Sequence, residues 1–330
     1  LATLKTVQQT NAPRRGRRYW FRVLRLAAFA VLMPVIGLPM LFGAVGMWVL
    51  THPACGGDGP SPGEYRLPYR EISIPASIGG TYRGYFIRGT RDATIIVPPA
   101  YSGGRGGMLH EAALLAQDGY NVLLFESRVC AGKGALSLGY SEVDDVGDVL
   151  AYLRQNSDDI HVNMAKLALH GFSSAGATSL MAAARFPEIA AVLAEGGYHN
   201  AEAQMGIDRP NGIMIGLISL GARIAYRLGT GIDSALLSPL DAIRHIPPRA
   251  VFLVYGSREV SLNGGEQEFA AAQAGAVNPA RPPRLWIVPD ATHGSYTYTV
   301  GVEEYKRWVL PFYACALLDQ CAQWDALWTK

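Results

Sequence analysis

The residues best equipped for chemistry lie between Lys166 and Arg185. Gly171, Ser173 and Ala175 fall there at the spacing of the nucleophile elbow G-x-S-x-G, with Ala in the last place. Residues 167–170 read as a short buried strand, and 174–185 as a helix of mostly small residues. A turn this tight strains the backbone of its central residue and needs small neighbours so that strand and helix can approach. It holds a hydroxyl at the end of a sheet, beside the N–H groups that open a helix. The same spacing also fits an ordinary strand–Gly–helix turn carrying a solvated Ser, so the rest of the chain has to decide.

Holding such a hydroxyl requires a sheet. Residues 71–75 and 81–88 read as an antiparallel pair around Gly79 and Gly80. Apolar strands follow at 93–98, 121–126, 191–195, 250–255 and 284–289, with helices near 108–117, 141–154, 265–274 and 302–317. In the second of these helices Val146, Val149, Leu150 and Leu153 recur at helical spacing. Continuous apolar strands alternating with helices predict an α/β protein whose mostly parallel sheet is covered on both faces. One interval breaks the rhythm: residues 198–249 are too long for a plain crossover. Within them 213–228 is helical and strongly apolar, with Arg223 and Arg227 late in the run. It reads as a small helical cap over the active-site end of the sheet, or else as one more scaffold helix.

The 330 residues carry a net charge of +2, unevenly distributed. Lys5, Arg14, Arg15, Arg17, Arg18, Arg22 and Arg25 make the first fifty residues basic without a single acid, which leaves the remainder net acidic. The globular part therefore gives no reason to invoke nucleic acid. Residues 26–50 contain no charge, enough for the roughly 20 apolar residues that cross a bilayer. They predict an N-terminal transmembrane helix with residues 1–25 cytoplasmic and 51–330 extracytoplasmic. A cleaved signal peptide fits less well, because its apolar region is usually about 7–15 residues. Residues 51–66, rich in Gly and Pro, read as a linker to a single domain over 67–330. Cys55, Cys130, Cys315 and Cys321 all follow the anchor, on the side where disulfides are permitted, but their pairing stays open. Cys315 and Cys321 can pair only if the last helix breaks between them: in one continuous helix their Cα atoms would be about 9 Å apart. No Cys/His spacing of the metal-binding kind is present.

Taken together, the segments HGFSSAG, GYNVLLFESR, SPLDAIRHIPPRAVFLVYG and PDATHG resemble the α/β-hydrolase superfamily, specifically bacterial membrane-anchored serine hydrolases of the peptidase-like or lipase/esterase-like kind. The resemblance runs from about residue 67 to 312. It implies Ser173 as nucleophile, His293 as general base and Glu259 as the acid, in the superfamily's order Ser…Asp/Glu…His. It implies the backbone N–H of Ser174 as one oxyanion donor. The second donor in such enzymes comes from the loop after the third strand, where a His-Gly pair is usual. This chain has Pro99-Ala100-Tyr101 there, which makes the Tyr101 N–H the expected donor. Asp290, three residues before His293, competes with Glu259 for the acid role, but an Asp at that strand end is expected to brace its own turn. The loop after the fourth strand, usually Asp-x-Arg-Gly-His-Gly, here reads Glu126-Ser-Arg-Val-Cys-Ala131. Arg128 is expected to keep a structural role and Cys130 to be free for a disulfide.

The implied chemistry is acyl transfer from an ester to water, with a peptide substrate as the alternative, and it requires no metal and no cofactor. A catalytically silent scaffold of the same fold that binds a partner is the competing expectation, suggested by the two altered loops.

Overall fold

The computed structural model describes residues 15–204, 212–276 and 281–329. Eight strands form one sheet: β1 (Tyr69–Pro75), β2 (Thr81–Ile87), β3 (Thr94–Val97), β4 (Asn121–Phe125), β5 (Leu167–Phe172), β6 (Ile189–Glu195), β7 (Ala250–Gly256) and β8 (Arg284–Val288). Their spatial order is β1-β2-β4-β3-β5-β6-β7-β8. β1 and β2 are antiparallel to their neighbours, and the six strands from β4 to β8 run parallel. Every residue of β3, β4 and β7 is buried, as strands covered on both faces require.

The longer helices are α1 (Arg15–Thr51), α2 (Leu109–Gln117), α3 (Glu142–Ile160), α4 (Ser174–Arg185), α5 (Ile213–Thr230), α6 (Gly265–Gly275) and α7 (Val302–Leu318). α3, α4 and α6 bury their apolar residues on one face of the sheet, while α2 and α7 do so on the other. α3 runs six residues beyond the expected 154. Glu142, Asp144 and Asp145 in its first turn favour the positive end of the helix dipole. Among these acids Asp145 is buried, accepts from the Tyr82 hydroxyl at 2.6 Å and pairs with Arg128 through two hydrogen bonds. Arg128 thus has the structural role expected of it, tying the loop after β4 to α3.

Two disulfides join Cys55 to Cys130 and Cys315 to Cys321. The helix break expected for the second pair is present: α7 ends at Leu318, and Asp319 turns left-handed before Cys321. The segment read as a linker has only a short 3-10 turn at Pro62–Tyr65, yet it is fastened down. Besides the disulfide to Cys130, Asp58 pairs with Arg83 and Arg105. Its backbone crosses the Gly103–Gly107 loop so closely that a Cβ on Gly104 would meet the carbonyl oxygen of Gly57 at 2.0 Å. Closing a loop of 75 residues with a disulfide stabilises by roughly 4–5 kcal/mol in the chain-entropy account.

From the interval 198–249, Tyr198 and Ala201 line the cavity described below, whereas α5 contributes no side chain to it and packs along the second half of α1. Met47 of α1, Ala222 and Tyr226 of α5, Ala201 and Leu237 form a third apolar cluster. α1 is one continuous helix long and apolar enough to cross a membrane, with Pro34 and Pro39 inside it.

Candidate active site

Ser173 sits between the end of β5 and the start of α4 with φ 57° and ψ −124°, a strained backbone for a non-Gly residue. Its N–H donates to the Glu195 carbonyl at the end of β6. Gly171 is required in this turn: a Cβ there would meet the Ala175 carbonyl oxygen at 2.1 Å and Ser179 Oγ at 2.3 Å. The buried flank of α4 is built from Ala175, Gly176 and Ala177, small enough for the helix to lie against the sheet.

Two more strand ends bring their loops to this point. β7 ends at Gly256, and Glu259 follows after one turn. β8 ends at Val288, and His293 follows in the next loop. The Ser173 Oγ lies 3.0 Å from His293 Nε2, and His293 Nδ1 lies 2.7 Å from Glu259 Oε2. The chain of contacts assigns the imidazole its tautomer: Nδ1–H donates to the carboxylate, and Nε2 accepts from the hydroxyl. Phe172 packs against the imidazole with ring centroids 4.8 Å apart.

The Glu259 carboxylate is buried and saturated with donors. Oε1 accepts from the Gly256 N–H at 3.0 Å and from the Tyr296 hydroxyl. Oε2 accepts from Asn263 Nδ2 at 3.0 Å as well as from His293. Burial pushes this carboxyl up, but the hydrogen bonds from His293, Tyr296 and Gly256 together outweigh it and hold the group below its ordinary value. Asp290, the competing acid, does not touch His293. Its carboxylate is 82% exposed and lies 3.4 Å from Arg258, and its N–H donates to Ser257 Oγ at 2.9 Å.

Ser174 and Tyr101 both border the same cavity as Ser173, Glu259 and His293. Ser174 opens α4, whose first N–H groups have no intrahelical acceptor. The Tyr101 N–H, the other expected oxyanion donor, is directed to Ser174 Oγ at 2.8 Å. It becomes available to a substrate oxygen only when the Ser174 side chain rotates away. Tyr101 has φ 47°, the positive value that the missing Gly of this loop would have made easy. Its hydroxyl reaches the carbonyl of Leu50, in the last turn of α1, at 2.7 Å.

The cavity measures about 390 Å³, within the range of small-molecule sites. Leu50, Leu138, Ala201 and Leu262 give it apolar walls. Asn263, Tyr296 and Leu50 are among the contributors not read from the sequence. Asn263 carried a usable signal, since it stands four residues after Glu259 on one helical turn. Tyr296 and Leu50 carried none, because each meets the site only through the fold. No group of three or more metal-ligating side chains occurs among the described residues.

No protein-family model matches the chain, and no curated protein matches it. Solved structures do. An esterase from Pyrococcus furiosus superposes with a TM-score of 0.61 at 18% identity, over 81% of this chain and 99% of that one. The α/β hydrolase GrgF from a Penicillium species gives 0.57 at 18%, over 76% of this chain and all of the other. A puromycin-hydrolyzing peptidase from Mycobacterium tuberculosis gives 0.57 at 16%, over 77% of this chain and 40% of its own. The fold is that of the α/β-hydrolases.

Proposed function

We propose that the protein is a membrane-tethered serine hydrolase that cleaves a carboxylic ester, with Ser173 as nucleophile, His293 as general base and Glu259 as the acid. The observation that carries this reading is the unbroken hydrogen-bonded path from a hydroxyl on a strained elbow, through the imidazole, to a buried carboxylate. Fold neighbours that are esterases and peptidases support hydrolysis. The apolar cavity walls favour an ester with a hydrocarbon acyl group over a peptide.

In the first step His293 Nε2 takes the proton of Ser173 as Oγ bonds to the ester carbonyl carbon, and the carbonyl oxygen becomes an oxyanion. The N–H of Ser174 receives it, joined by that of Tyr101 once Ser174 Oγ swings aside; each such donor contributes about 3–4 kcal/mol in comparable sites. The C–O bond to the alcohol then breaks, and the imidazolium returns its proton to the leaving oxygen. Water, deprotonated by the same imidazole, attacks the acyl-enzyme and releases the acid. Glu259 holds the ring's tautomer and stabilises the imidazolium throughout.

A fluorophosphonate probe tests the nucleophile. It should label the wild type and Ser174→Ala but not Ser173→Ala, and equal labelling of Ser173→Ala and wild type would remove Ser173 from the mechanism.

α1 acts as an uncleaved anchor with residues 1–25 cytoplasmic and the hydrolase domain extracytoplasmic. Two disulfides on the domain side support that orientation. Alkaline phosphatase fused after residue 330 should be active in a bacterial host, and the protein should resist carbonate extraction. A carbonate-soluble product shortened by about 50 residues would identify a cleaved signal peptide instead.

A further inference from the structure

Helix α5 is built largely inside out for a helix that faces water. Apart from Tyr226, whose hydroxyl donates to the Ser137 carbonyl at 2.7 Å, its buried residues Ser219, Gly221 and Ala222 are small, while Ile213, Leu220, Ile224 and Leu228 are exposed along one stripe. A surface helix of a water-soluble domain turns its large apolar residues inward. Small residues at a helix contact with large ones outside is the pattern of helices packed in lipid.

The partner of α5 is α1, and the fit is close. A Cβ on Gly221 would meet the Met40 carbonyl oxygen at 1.9 Å, and one on Gly43 would meet that of Ile218 at the same distance. Further along, Gly229 lies beside His52. Residues 40–43 of α1 cross 218–222 of α5, and further on His52 meets Gly229, so the pair runs parallel and Ile213 is the end farthest from the hydrolase domain.

The bilayer depth follows from α1. Exposed Trp20 and Trp48 are separated by about 42 Å of helix, matching the 40–45 Å of a bilayer with its headgroup regions, where Trp is enriched. Ile213 to Ala222 is a run of ten residues without charge, about 15 Å long and comparable to half the hydrocarbon core. Arg223 and Arg227 follow it towards the domain. The exposed stripe of α5 is thus continuous with the apolar surface of α1.

The same pair abuts the cavity. Leu138 and Tyr198 pack against the cluster joining α1 to α5, Ala201 belongs to that cluster, and all three also line the cavity. Leu50, the penultimate residue of α1, completes that wall.

We propose that α5 is immersed beside α1 in the leaflet adjoining the hydrolase domain, and that the cavity takes its substrate, an amphiphile with an ester-linked acyl chain, from that leaflet. The proposal rests on α1 spanning the membrane and on Ser173 being the nucleophile.

All four cysteines are in disulfides, so single cysteines can be added and labelled with an environment-sensitive fluorophore in the full chain. Labels at Leu220, at Phe29 on α1 and at exposed Ala165, just before β5 at the end opposite Ser173, should be compared in phosphatidylcholine vesicles with and without doxyl-labelled lipid. The Leu220 label should lose emission as strongly as the Phe29 label, and the Ala165 label should lose none. Quenching at Phe29 without quenching at Leu220 overturns the immersion of α5 and leaves the anchor intact. A Leu220 label shielded from water yet unquenched means that protein covers the stripe, and overturns it equally. Quenching at neither helix overturns the anchor together with the proposal.

Leu220→Asp with Ile224→Asp then tests the route. The doubly changed protein should hydrolyse water-soluble p-nitrophenyl acetate at the wild-type rate, which also reports its folding. On a long-chain p-nitrophenyl ester dissolved in vesicles its KM should rise about tenfold or more, given what a charge costs in hydrocarbon. Equal losses on both esters overturn delivery from the leaflet. Absence of turnover in the wild type on either ester refutes the hydrolase reading, and with it the route, while the fluorescence result still decides the position of α5.

Discussion

The loops after β7 and β8 each offer a carboxylate as a partner for His293, Glu259 from 34 residues away and Asp290 from its own loop, and their treatment is opposite. Glu259 is withdrawn from water and given four hydrogen-bond donors from separate parts of the chain. Asp290 is left 82% exposed with one long ion pair. An exposed ion pair is worth little, and solvent can replace either partner. A buried carboxylate with both oxygens engaged has a defined direction, which an imidazole can use. Proximity in sequence therefore says little about which acid orients a histidine; desolvation and the partners that compensate for it decide.

The sharpest way to break this comparison is to neutralise each acid. Glu259→Gln should lower kcat by about 10³- to 10⁴-fold through loss of the correct imidazole tautomer, with KM little changed. Steady-state kinetics on a short p-nitrophenyl ester measures it. If Asp290→Asn loses more than Glu259→Gln, the assignment is reversed.

Tyr296→Phe removes one donor from Glu259 and leaves the rest. A hydrogen bond to a charged group is worth about 1.5–3 kcal/mol, so a kcat loss of roughly tenfold or somewhat more is expected. The carboxyl should also lose part of its depression. Because that depression stabilises the fold above the unfolded carboxyl range and is lost as pH falls through the folded value, the variant should unfold at higher pH than wild type on acid titration, followed by circular dichroism.

A third carboxylate sharpens the rule. Glu268 is fully buried, and among the described residues its carboxyl group meets only the Tyr255 hydroxyl, at 2.6 Å. Burial raises it to about 8. In the neutral form it donates to Tyr255, whose hydroxyl passes its own hydrogen to the Gly197 carbonyl at 3.2 Å. From the ordinary carboxyl value of 4.5 up to about 8, the unfolded chain releases a proton that the native state keeps. Stability is therefore full below that window and falls across it by about 1.4 kcal/mol per pH unit at most. Glu268→Gln should lack this slope, so the difference in Tm between variant and wild type should grow from pH 5 to pH 8. A constant difference would mean that Glu268 is ionised in the native state. Asp290→Asn has the smallest expected effect, less than twofold in kcat, since only its exposed pair with Arg258 is lost.

Much of this was legible in the chain. The elbow could be read because its demands are local: glycine where a Cβ would strike Ala175, small residues along α4, an apolar strand before it. The strands β3, β5 and β7 could be read because burial on both faces leaves them mostly apolar. The roles of Ser173, Glu259 and His293 came from a resemblance, and the geometry among them is what the fold adds. Helix boundaries were less legible. α3 continues to Ile160 past the periodic apolar stretch, through polar residues that carry little hydrophobic signal.

By itself, then, the sequence determined the elements whose physics is contained in a few adjacent residues: strand and helix alternation, the strained turn at Ser173, a 25-residue uncharged helix and the condition that any Cys315–Cys321 pair needs a helix break between them. Tertiary structure alone decided which cysteines pair, that Tyr296 holds Glu259 while Asp290 stays in solvent, that the Tyr101 N–H is held by Ser174 Oγ, and that α5 lies along α1 with Leu50 in the cavity wall. These are contacts whose partners are mostly separated by tens of residues or more. They exist only because the sheet order and the disulfide from Cys55 bring distant loops to one edge, and no local pattern of residue types encodes that distance.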